Sequence, residues 1–401
     1  MNPNVPWKTR GNAALSARFG LGLGPARTVG ELPEGPIRAY DRSTRLPPAT
    51  ARALVTEGWH AVREASATGP RTDPAFVAVP DRLPASGYWE AVRGIVPIAR
   101  SRALLREADA VVKTRGSARG LVGAAAAVAW PGRRATWELI AYRDGPGSAG
   151  PRPIDPKRLF EVEARFPELF ASSDPRTRRI LIAPHTRCPV LFGLRARTPD
   201  RLPQAMRMLW DGPTDRWVVY RTNQATGDHL VDRRGDDWRP YEPARFVGRV
   251  VRGPERLPGG HVRFLLGEAG GSTIPCLVFE PTKTLPIVAA SLSVADRLKV
   301  WGGRGRDRTL RVEGFEILSA PPRPEPPARP RCASCDRTAR SLGRARGFRC
   351  PTCRHRWPPE AALPRTRPAE FGRGTYHPTL SARRHLHPLV PSPPARPSSP
   401  L

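Results

Sequence analysis

The chain has 401 residues, of which 66 are lysine or arginine and 36 are aspartate or glutamate, so its formal net charge is +30 and its isoelectric point is near 11.4. This length accommodates two to four domains, and so strong a basic charge indicates a polyanionic binding partner. The longest apolar run, from Leu121 to Trp130, is half of the roughly 20 residues that a membrane helix needs, and residues 1–12 lack the pattern of a signal peptide. These features exclude a membrane-spanning helix within this sequence and predict a cytoplasmic protein that binds nucleic acid.

A first basic loop lies at residues 2–12 (NPNVPWKTRGN). It is dense in turn-forming residues, and Lys8 and Arg10 flank a threonine next to Gly11, where the backbone can approach a ligand closely. Charged donors of this kind bind phosphate through charge-assisted hydrogen bonds. Lys8 and Arg10 are therefore candidate ATP or phosphate contacts, with an ordinary basic loop as the alternative.

A second basic loop, rich in glycine, lies at residues 113–124 (KTRGSARGLVGA) and runs into an Ala-rich helix. Because a helix N-terminus can hold phosphate groups, Arg119 and Gly120 are further candidate phosphate contacts. The loop is neither a Walker motif nor a dinucleotide fingerprint, and close helix packing by the glycines is the alternative. The elements predicted between the two loops are helices at residues 50–67 and 88–107, the latter broken near Pro97, and a strand at residues 74–80.

The order of elements in residues 134–242 predicts a ferredoxin-like domain. Strands and helices alternate as β-α-β-β-α-β. The predicted strands span residues 136–142, 179–184, 190–197 and 216–222, and the helices span residues 156–170 and 201–210. The last strand runs into a polar loop, residues 221–229 (RTNQATGDH), for which we expect either a contact with ligand or RNA or a simple connection.

Residues 243–320 contain a run of short strands that predicts an OB-fold barrel. Strands are expected at residues 247–251, 261–266, 272–279, 299–302 and 310–318, with a capping helix within residues 284–294. Basic residues and one tryptophan would give this barrel a face for binding RNA. They are Arg249, Arg252, Arg263, Trp301, Arg304, Arg306 and Arg308.

Two Cys-x-x-Cys pairs, fourteen residues apart, predict a zinc ribbon over residues 331–358. Four thiolates in this pattern leave no open position, so the Zn²⁺ would be structural, with disulfide pairing as the alternative. The predicted ligands are Cys332, Cys335, Cys350 and Cys353. Eight arginines surround them and would form a surface for phosphate and base contacts, or simply a solvated basic knob.

The ribbon is flanked by two segments with little predicted structure. Residues 321–330 (PPRPEPPARP) read as a stiff Pro-rich linker that holds the barrel and the ribbon apart. Residues 359–401 form a basic, Pro-rich tail, in which residues 383–388 are the part expected to become ordered.

Several rare motifs resemble those of one family, the archaeal 2-agmatinylcytidine synthetases that act on an isoleucine tRNA. The resemblance covers nearly the whole chain, because the predicted barrel, ribbon and tail follow in the family's order. The motifs are NPNVPWKTRGN at residues 2–12, RGLVGA at 119–124, WELIAYR at 137–143, RILIAPH and PVLFGLR within 179–195, and WVVYRTNQ at 217–224.

The resemblance implies an ATP-dependent carbon–nitrogen ligase. Such an enzyme joins agmatine to C2 of the wobble cytidine in the isoleucine tRNA with a CAU anticodon, and splits ATP to AMP and pyrophosphate. It implies ATP and Mg²⁺ as cofactors besides structural Zn²⁺. It further implies that residues 1–133 are the remainder of a kinase-like α/β catalytic domain within an α+β multidomain protein, and that Thr222, Asn223 and Gln224 belong to the substrate site.

The sequence departs from the family most clearly at its start, and in smaller ways at residues 186–188 and 227–228. Family members open with an Asp-rich strand that holds Mg²⁺, and no Asp-Asp-Thr-Asp segment occurs in these 401 residues. The sequence is therefore interpreted as an N-terminally truncated member, for which no catalytic residue is assigned. The alternative function is a non-catalytic tRNA-binding protein, with an OB fold and a zinc ribbon, that has lost its metal-binding kinase segment.

Overall fold

In a computed structural model, the chain is a mixed α/β protein with several sheets and a small four-cysteine domain. The structure describes residues 27–29, 56, 59–60, 75–79, 83–114, 116–118, 120–143, 151–174, 176–184, 190–212, 214, 216–235, 238–343, 345–383 and 385–389. Within these ranges, every helix is too short or too polar to cross a membrane.

The described N-terminal part of the chain is a three-helix layer on a two-stranded sheet. Strand β2 (Ala75–Ala78) pairs with β3 (Val111–Thr114), and helices α1 (Ser86–Arg93), α2 (Ile98–Glu107) and α3 (Gly120–Ala129) pack around a core that includes Tyr88, Leu105 and Leu121. Pro97 directly precedes α2, so the predicted break in the helix at residues 88–107 is confirmed. Most of the helix predicted at residues 50–67 lies outside the described residues.

The central sheet has four strands and is antiparallel throughout. Its strands are β1 (Arg27–Val29), β4 (Thr136–Tyr142), β7 (Val190–Ala196) and β8 (Arg216–Thr222), and they lie in the order β1-β8-β4-β7. Helices α4 (Pro156–Arg165) and α5 (Leu202–Leu209) contribute to the core of this domain, in which Leu159, Phe192 and Leu209 are buried. The observed bounds of β4 and β8 are the predicted ones. Both strands have apolar residues on both faces of the sheet, and this pattern made their ends easy to recognise in the sequence.

The strand predicted at residues 179–184 is wrong in length and in pairing. It is shortened to β6 (Arg179–Ile180), which pairs with β5 (Ser173–Asp174) outside the central sheet. The edge of β7 is partly occupied by residues 168–170, since Phe170 N donates to Arg195 O and Arg197 N donates to Glu168 O. The fourth strand of the central sheet is instead β1, which pairs with β8 on the opposite edge.

Residues 243–319 form a closed five-stranded barrel. The strands are β9 (Pro243–Arg256), β10 (Val262–Gly267), β11 (Thr273–Val278), β12 (Arg297–Arg304) and β13 (Leu310–Ser319). They follow the order β11-β10-β9-β12-β13, and a parallel pairing of β11 with β13 closes the ring. Helix α6 (Thr284–Ala289) lies between the third and fourth strands and buries Leu285 and Val288 in the barrel core. The strands and the helix therefore lie where the sequence predicts them, although β9 and β12 are longer.

The segment predicted as a free Pro-rich linker is a strand. Residues Arg323–Ala328 form β14. This strand pairs with β18 (Leu363–Arg367), which follows the ribbon in the chain. Proline is compatible with an edge strand because its fixed φ suits extended backbone. Arg323 fastens β14 to the barrel, since its two terminal nitrogens each lie 2.6 Å from an oxygen of Asp296, whose side chain is fully buried.

The tail after the ribbon is more ordered than predicted. Strand β19 (Gly374–Tyr376) adds to the edge of β13 in the barrel, and the structure also describes residues 377–383 and 385–389. The order extends beyond residues 383–388 because the segment packs into existing structure, with the Tyr376 ring 5.7 Å from that of Phe315. The ribbon itself contains the small sheet β15 (Arg340–Ser341), β16 (Phe348–Arg349) and β17 (Arg356–Trp357).

Candidate functional site

A group of buried polar side chains lies beside helix α1, at the edge of the central sheet where β4 begins and β8 ends. Thr222 closes β8, and its hydroxyl lies 3.0 Å from that of Thr136 at the start of β4. The Thr136 hydroxyl donates to Gln224 O at 2.9 Å, so the Thr222 hydroxyl donates to Thr136 and accepts from Gln224 N. We call Tyr88, Thr136, Glu138, Thr222, Asn223, Gln224 and Asp228 the polar junction.

Glu138 is the buried carboxylate at the sheet side of the polar junction, with 5% of its surface exposed. Gln224 Nε2 donates to Glu138 Oε2 at 2.6 Å, and Arg195 Nε donates to Glu138 Oε1 at 3.3 Å. Glu138 lies on β4, Arg195 lies on the neighbouring strand β7, and Gln224 lies two residues after the end of β8 on the other side of β4. A carboxylate with a guanidinium and an amide on its two oxygens is fixed in orientation and compensated in charge.

Asp228 is the second buried carboxylate and lies against helix α1. The Tyr88 hydroxyl donates to Asp228 Oδ2 at 2.8 Å and accepts from Asn223 Nδ2 at 3.0 Å, while Arg93 Nε donates to Asp228 O at 3.2 Å. Burial raises the pKa of the Tyr88 hydroxyl, and the hydrogen bond to Asp228 raises it further, so that the hydroxyl stays protonated. The loop after β8 is therefore attached to the N-terminal helical part of the chain.

Arginine side chains with aromatic contacts surround the polar junction. The Arg221 guanidinium donates to Gly132 O and lies 5.7 Å from the Trp130 ring centroid. The Arg93 guanidinium lies 4.1 Å above the Trp89 ring. Stacked guanidinium groups of this kind suit the planar bases and phosphates of RNA.

The structure locates some of the predicted phosphate contacts and not others. Lys8, Arg10 and Arg119 lie outside the described residues. Gly120 is the first residue of the ten-residue helix α3, and its role stays a prediction. The start of the predicted Gly-rich loop at Lys113 is part of strand β3 instead, paired with Phe76.

The predicted residues Thr222, Asn223 and Gln224 lie together in the polar junction, and each is at least nine-tenths buried. Their side chains are hydrogen-bonded to protein groups. The structure adds Glu138, which sequence reasoning missed, and it places Asp228 of the predicted polar loop in the same network. The available signal for Glu138 was its position as the one acidic residue within the mostly apolar strand TWELIAY.

The four cysteines of the ribbon meet at one point. Their sulfur atoms all lie within 4.8 Å of one another, and Cys332 Sγ is 3.5 Å from Cys353 Sγ. A disulfide needs about 2.05 Å, so the alternative of disulfide pairing is wrong for these residues, which are free thiols. Tetrahedral zinc with bonds of about 2.3 Å separates its sulfur ligands by about 3.8 Å, so the cluster fits Zn²⁺.

The environment of Cys350 favours a thiolate, the form that binds metal. Burial by itself raises the pKa of this thiol. Hydrogen bonds from the backbone of Cys353 and Thr352, and from neighbouring thiols, outweigh burial and lower the pKa to about 6. The Thr352 N–H donates to Cys350 Sγ at 3.4 Å.

The arginines of the ribbon surface face solvent. The exposed ones are Arg331, Arg337, Arg340, Arg346, Arg349, Arg354 and Arg356, while Arg344 lies outside the described residues. Phe348 and Trp357 are half-buried and pair across the small sheet. The predicted basic surface with aromatic side chains is thus present in the part of the ribbon that the structure describes.

The predicted basic face of the barrel needs a correction at two positions. Trp301 and Arg304 are each only 5% exposed, so neither is available to RNA. The Trp301 ring packs on Gly314, where an added Cβ would lie 2.4 Å from the ring, and the Arg304 guanidinium lies 4.9 Å above the buried Trp238 ring. Arg249, Arg252, Arg263, Arg306 and Arg308 are exposed as predicted.

Comparison with known proteins gives consistent matches along the chain. The family models named TiaS TCKD domain, TiaS FLD domain and TiaS C-terminal zinc ribbon domain match residues 1–116, 118–229 and 329–366. A curated relative from Methanosarcina mazei, the isoleucine-tRNA 2-agmatinylcytidine synthetase TiaS, is 30% identical over 406 residues, which cover 97% of this chain and 87% of the relative.

Solved structures are also similar to this chain. The crystal structure of TiaS in complex with its isoleucine tRNA and ATP has a TM-score of 0.76 and 26% identity, and the match covers 96% of this chain and 94% of that one. The crystal structure of TiaS in complex with the same tRNA, AMPCPP and agmatine has a TM-score of 0.73 and 25% identity, and the match covers 94% of this chain and 90% of that one.

Proposed function

This chain belongs to the TiaS family of isoleucine-tRNA 2-agmatinylcytidine synthetases, and from that premise we propose that it is an ATP-dependent ligase that modifies tRNA. Its substrates are agmatine and the isoleucine tRNA with a CAU anticodon, and its product carries agmatine on C2 of the wobble cytidine. ATP is split to AMP and pyrophosphate, and we assign the activity to the cytoplasm. The observation that carries the proposal is the match to the M. mazei relative over 97% of this chain.

The chemistry requires that the C2 oxygen of cytidine become a leaving group. One phosphoryl group of the pyrophosphate portion of ATP goes to that oxygen, and the agmatine amine then forms a C–N bond at C2 while the C–O bond breaks and phosphate departs. The other phosphoryl group goes to water, so the pyrophosphate portion of ATP ends as two phosphates. Catalysis of phosphoryl transfer depends mostly on positioning and on stabilising charge. We assign phosphate binding to Lys8, Arg10, Arg119 and Gly120, with Mg²⁺ accompanying ATP.

We assign a separate domain to each of four parts of the proposed enzyme. Residues 1–133 form the kinase-like domain, residues 134–242 the ferredoxin-like domain and residues 243–320 the OB fold. Support comes from the strand order β8-β4-β7 for the second and from the parallel closure of β11 on β13 for the third. The ribbon at residues 331–358, with its exposed arginines, binds the tRNA backbone.

We place the substrate site next to the polar junction, at the border of the kinase-like and ferredoxin-like domains. Thr222, Asn223 and Gln224 are its candidate residues. Because their side chains are hydrogen-bonded to protein groups, we assign them the role of holding the site's shape. Asn223 connects directly to Tyr88 in the kinase-like domain, so it is the residue of the three on which alignment of the two domains depends most.

Incubation with ATP, Mg²⁺, agmatine and the CAU-anticodon isoleucine tRNA tests the proposal. Mass spectrometry of the digested tRNA should find the agmatine adduct on cytidine, and the reaction mixture should contain one AMP and two phosphates for each adduct. Reactions without ATP, and reactions with the same tRNA carrying a GAU anticodon, are the controls and should give no adduct. Tight tRNA binding with no adduct would instead support the non-catalytic tRNA-binding protein.

A further inference from the structure

We propose that the C-terminal strap, defined as residues 374–383 and 385–389, positions the loop Thr222–His229 for the reaction, and that His377 and His387 are the positioning residues that hold the strap in shape. This inference rests on the proposed function. Its physical basis is a continuous set of contacts from the barrel, through the strap, to the polar junction.

One half of the strap is fixed to the barrel. Strand β19 pairs with β13 in the register Phe315 to Tyr376. Beyond the strand, Thr379 N donates to Thr282 O at 3.2 Å, and the Thr284 hydroxyl donates to His377 O at 2.5 Å. These bonds attach the first half of the strap to the segment that leads into helix α6.

The other half of the strap is fixed to the loop after β8. Ala225 N donates to His385 O at 2.7 Å, Gly227 N donates to Leu386 O at 3.0 Å, and Leu389 N donates to Ala225 O at 2.9 Å. Three main-chain bonds in so short a stretch resemble the pairing of an added strand.

Gly227 shows how closely the strap and the loop approach each other. Its φ of +70° is in the region that favours glycine, and an added Cβ would lie 3.1 Å from Pro388 Cβ. The contact falls one residue before Asp228, the carboxylate that Tyr88 holds at 2.8 Å. The loop is therefore fixed on one side by the strap and on the other by helix α1 and Glu138.

A buried histidine pair joins the two halves of the strap. His377 Nδ1 lies 2.9 Å from His387 Nε2, and the two side chains are 8% and 4% exposed. Burial lowers the pKa of His377 to about 4 and that of His387 to about 3, so both rings are neutral near pH 7 and one donates its N–H to the other. This bond joins the barrel half and the loop half of the strap directly.

A third histidine, His229, reinforces the same connection from the loop side. His229 Nε2 lies 3.1 Å from Glu313 Oε2 on β13, so the loop also contacts the barrel directly. Glu313 and His387 both line a cavity of about 320 Å³ between the barrel and the strap. Because this cavity leaves the barrel and the strap incompletely packed against each other, fewer van der Waals contacts hold the strap in place. The histidine hydrogen bond therefore contributes more to the position of the strap than it would in a close-packed core.

Replacement of His387 tests the proposal. His387→Leu removes the hydrogen bond, whereas His387→Gln keeps an amide nitrogen near the position of Nε2. We expect His387→Leu to lower kcat for adduct formation at least tenfold while the Kd for tRNA changes less than twofold, and His387→Gln to recover most of the loss. Ser381→Ala, at an exposed strap position, is the matched control and should leave both quantities unchanged.

Hydrogen exchange provides a readout that does not depend on activity. The amides of Ala225 and Gly227 should exchange at least tenfold faster in His387→Leu than in the parent chain. Leu389→Pro, which removes a donor to Ala225 O, should act in the same direction. An unchanged kcat with unchanged exchange in His387→Leu would overturn the proposal. Equal losses in the Leu and Gln variants would also overturn it, because they would indicate a general packing defect.

The two proposals fail in different ways. If the parent chain forms no adduct, the proposed function fails, while the exchange rates still show whether the strap holds the loop. If the parent chain forms the adduct and the exchange rates do not respond to His387→Leu, the function stands and the strap proposal is wrong.

Discussion

The ribbon cysteines lie within 21 residues of one another in the chain, whereas Tyr88 and Asp228 of the polar junction are 140 residues apart. In the part of the ribbon that the structure describes, the arginines face solvent and four thiols lie at one point. The polar junction buries its polar groups and satisfies them with one another. An exposed basic surface such as that of the ribbon attracts a polyanion. A buried, hydrogen-bonded network such as the polar junction holds a reaction site in one geometry.

The largest expected effect concerns the metal. Cys350→Ser removes a fully buried ligand, and without zinc the ribbon has little core to keep it folded. Structural zinc contributes on the order of 10 kcal/mol to such domains. We expect zinc content to fall from one atom per chain to none, measured by atomic absorption, and tRNA affinity to fall at least tenfold.

Ser334→Ala is the control for that experiment, since it changes an exposed position of the same Cys-x-x-Cys turn. It should retain both zinc and tRNA affinity. A Cys350→Ser chain that still held one zinc atom, or that bound tRNA as tightly as the parent, would show that the ribbon is not a zinc-dependent unit for tRNA binding.

The second effect concerns the stability of the polar junction. Glu138→Ala leaves the Arg195 guanidinium and the Gln224 amide without their carboxylate. Loss of one partner from a buried pair costs about 3–5 kcal/mol, so the urea midpoint should fall clearly, while zinc content stays at one. Glu161→Ala, an exposed acid on α4, should shift the midpoint little. A Glu138→Ala midpoint equal to that of the parent would contradict the network.

The smallest effect concerns a single charge on the ribbon. Arg349 is exposed, so Arg349→Ala should leave stability unchanged and weaken tRNA binding a few-fold. The slope of log K against log salt should decrease by about one, because one phosphate contact is lost. Measurement of Kd at several salt concentrations checks this, and an unchanged slope would remove Arg349 from the RNA contact surface.

Local patterns predicted much of the fold. The bounds of β4 and β8, the break of the helix at Pro97 and the order of the barrel elements follow from periodicity and turn residues near each position. The zinc site follows from a spacing that is itself local. Each of these features depends on residues close together in the chain.

Features that join distant segments could not be predicted in this way. The pairing of β14 with β18 and of β19 with β13 turns Pro-rich segments into strands, and no property of those segments alone selects the partner strand. Trp301 reads as a stacking residue until the structure places its ring on Gly314. The loop Thr222–Gln224 was recognised as polar, but its bond to Tyr88 depends on how helix α1 packs beside the central sheet, and its bond to Glu138 depends on the register of β8 against β4.

A paired measurement on two variants tests the central claim, that the polar junction serves the chemistry and the ribbon serves tRNA binding. Adduct formation at saturating tRNA and the Kd for tRNA are measured for Asn223→Ala and for Cys350→Ser. Asn223→Ala should lower kcat at least tenfold with Kd within twofold of the parent, and Cys350→Ser should raise Kd at least tenfold while keeping most of kcat at saturation. A higher Kd with unchanged kcat in Asn223→Ala and a lower kcat with unchanged Kd in Cys350→Ser would contradict this division of roles. Equal losses of both quantities in both variants would also contradict it.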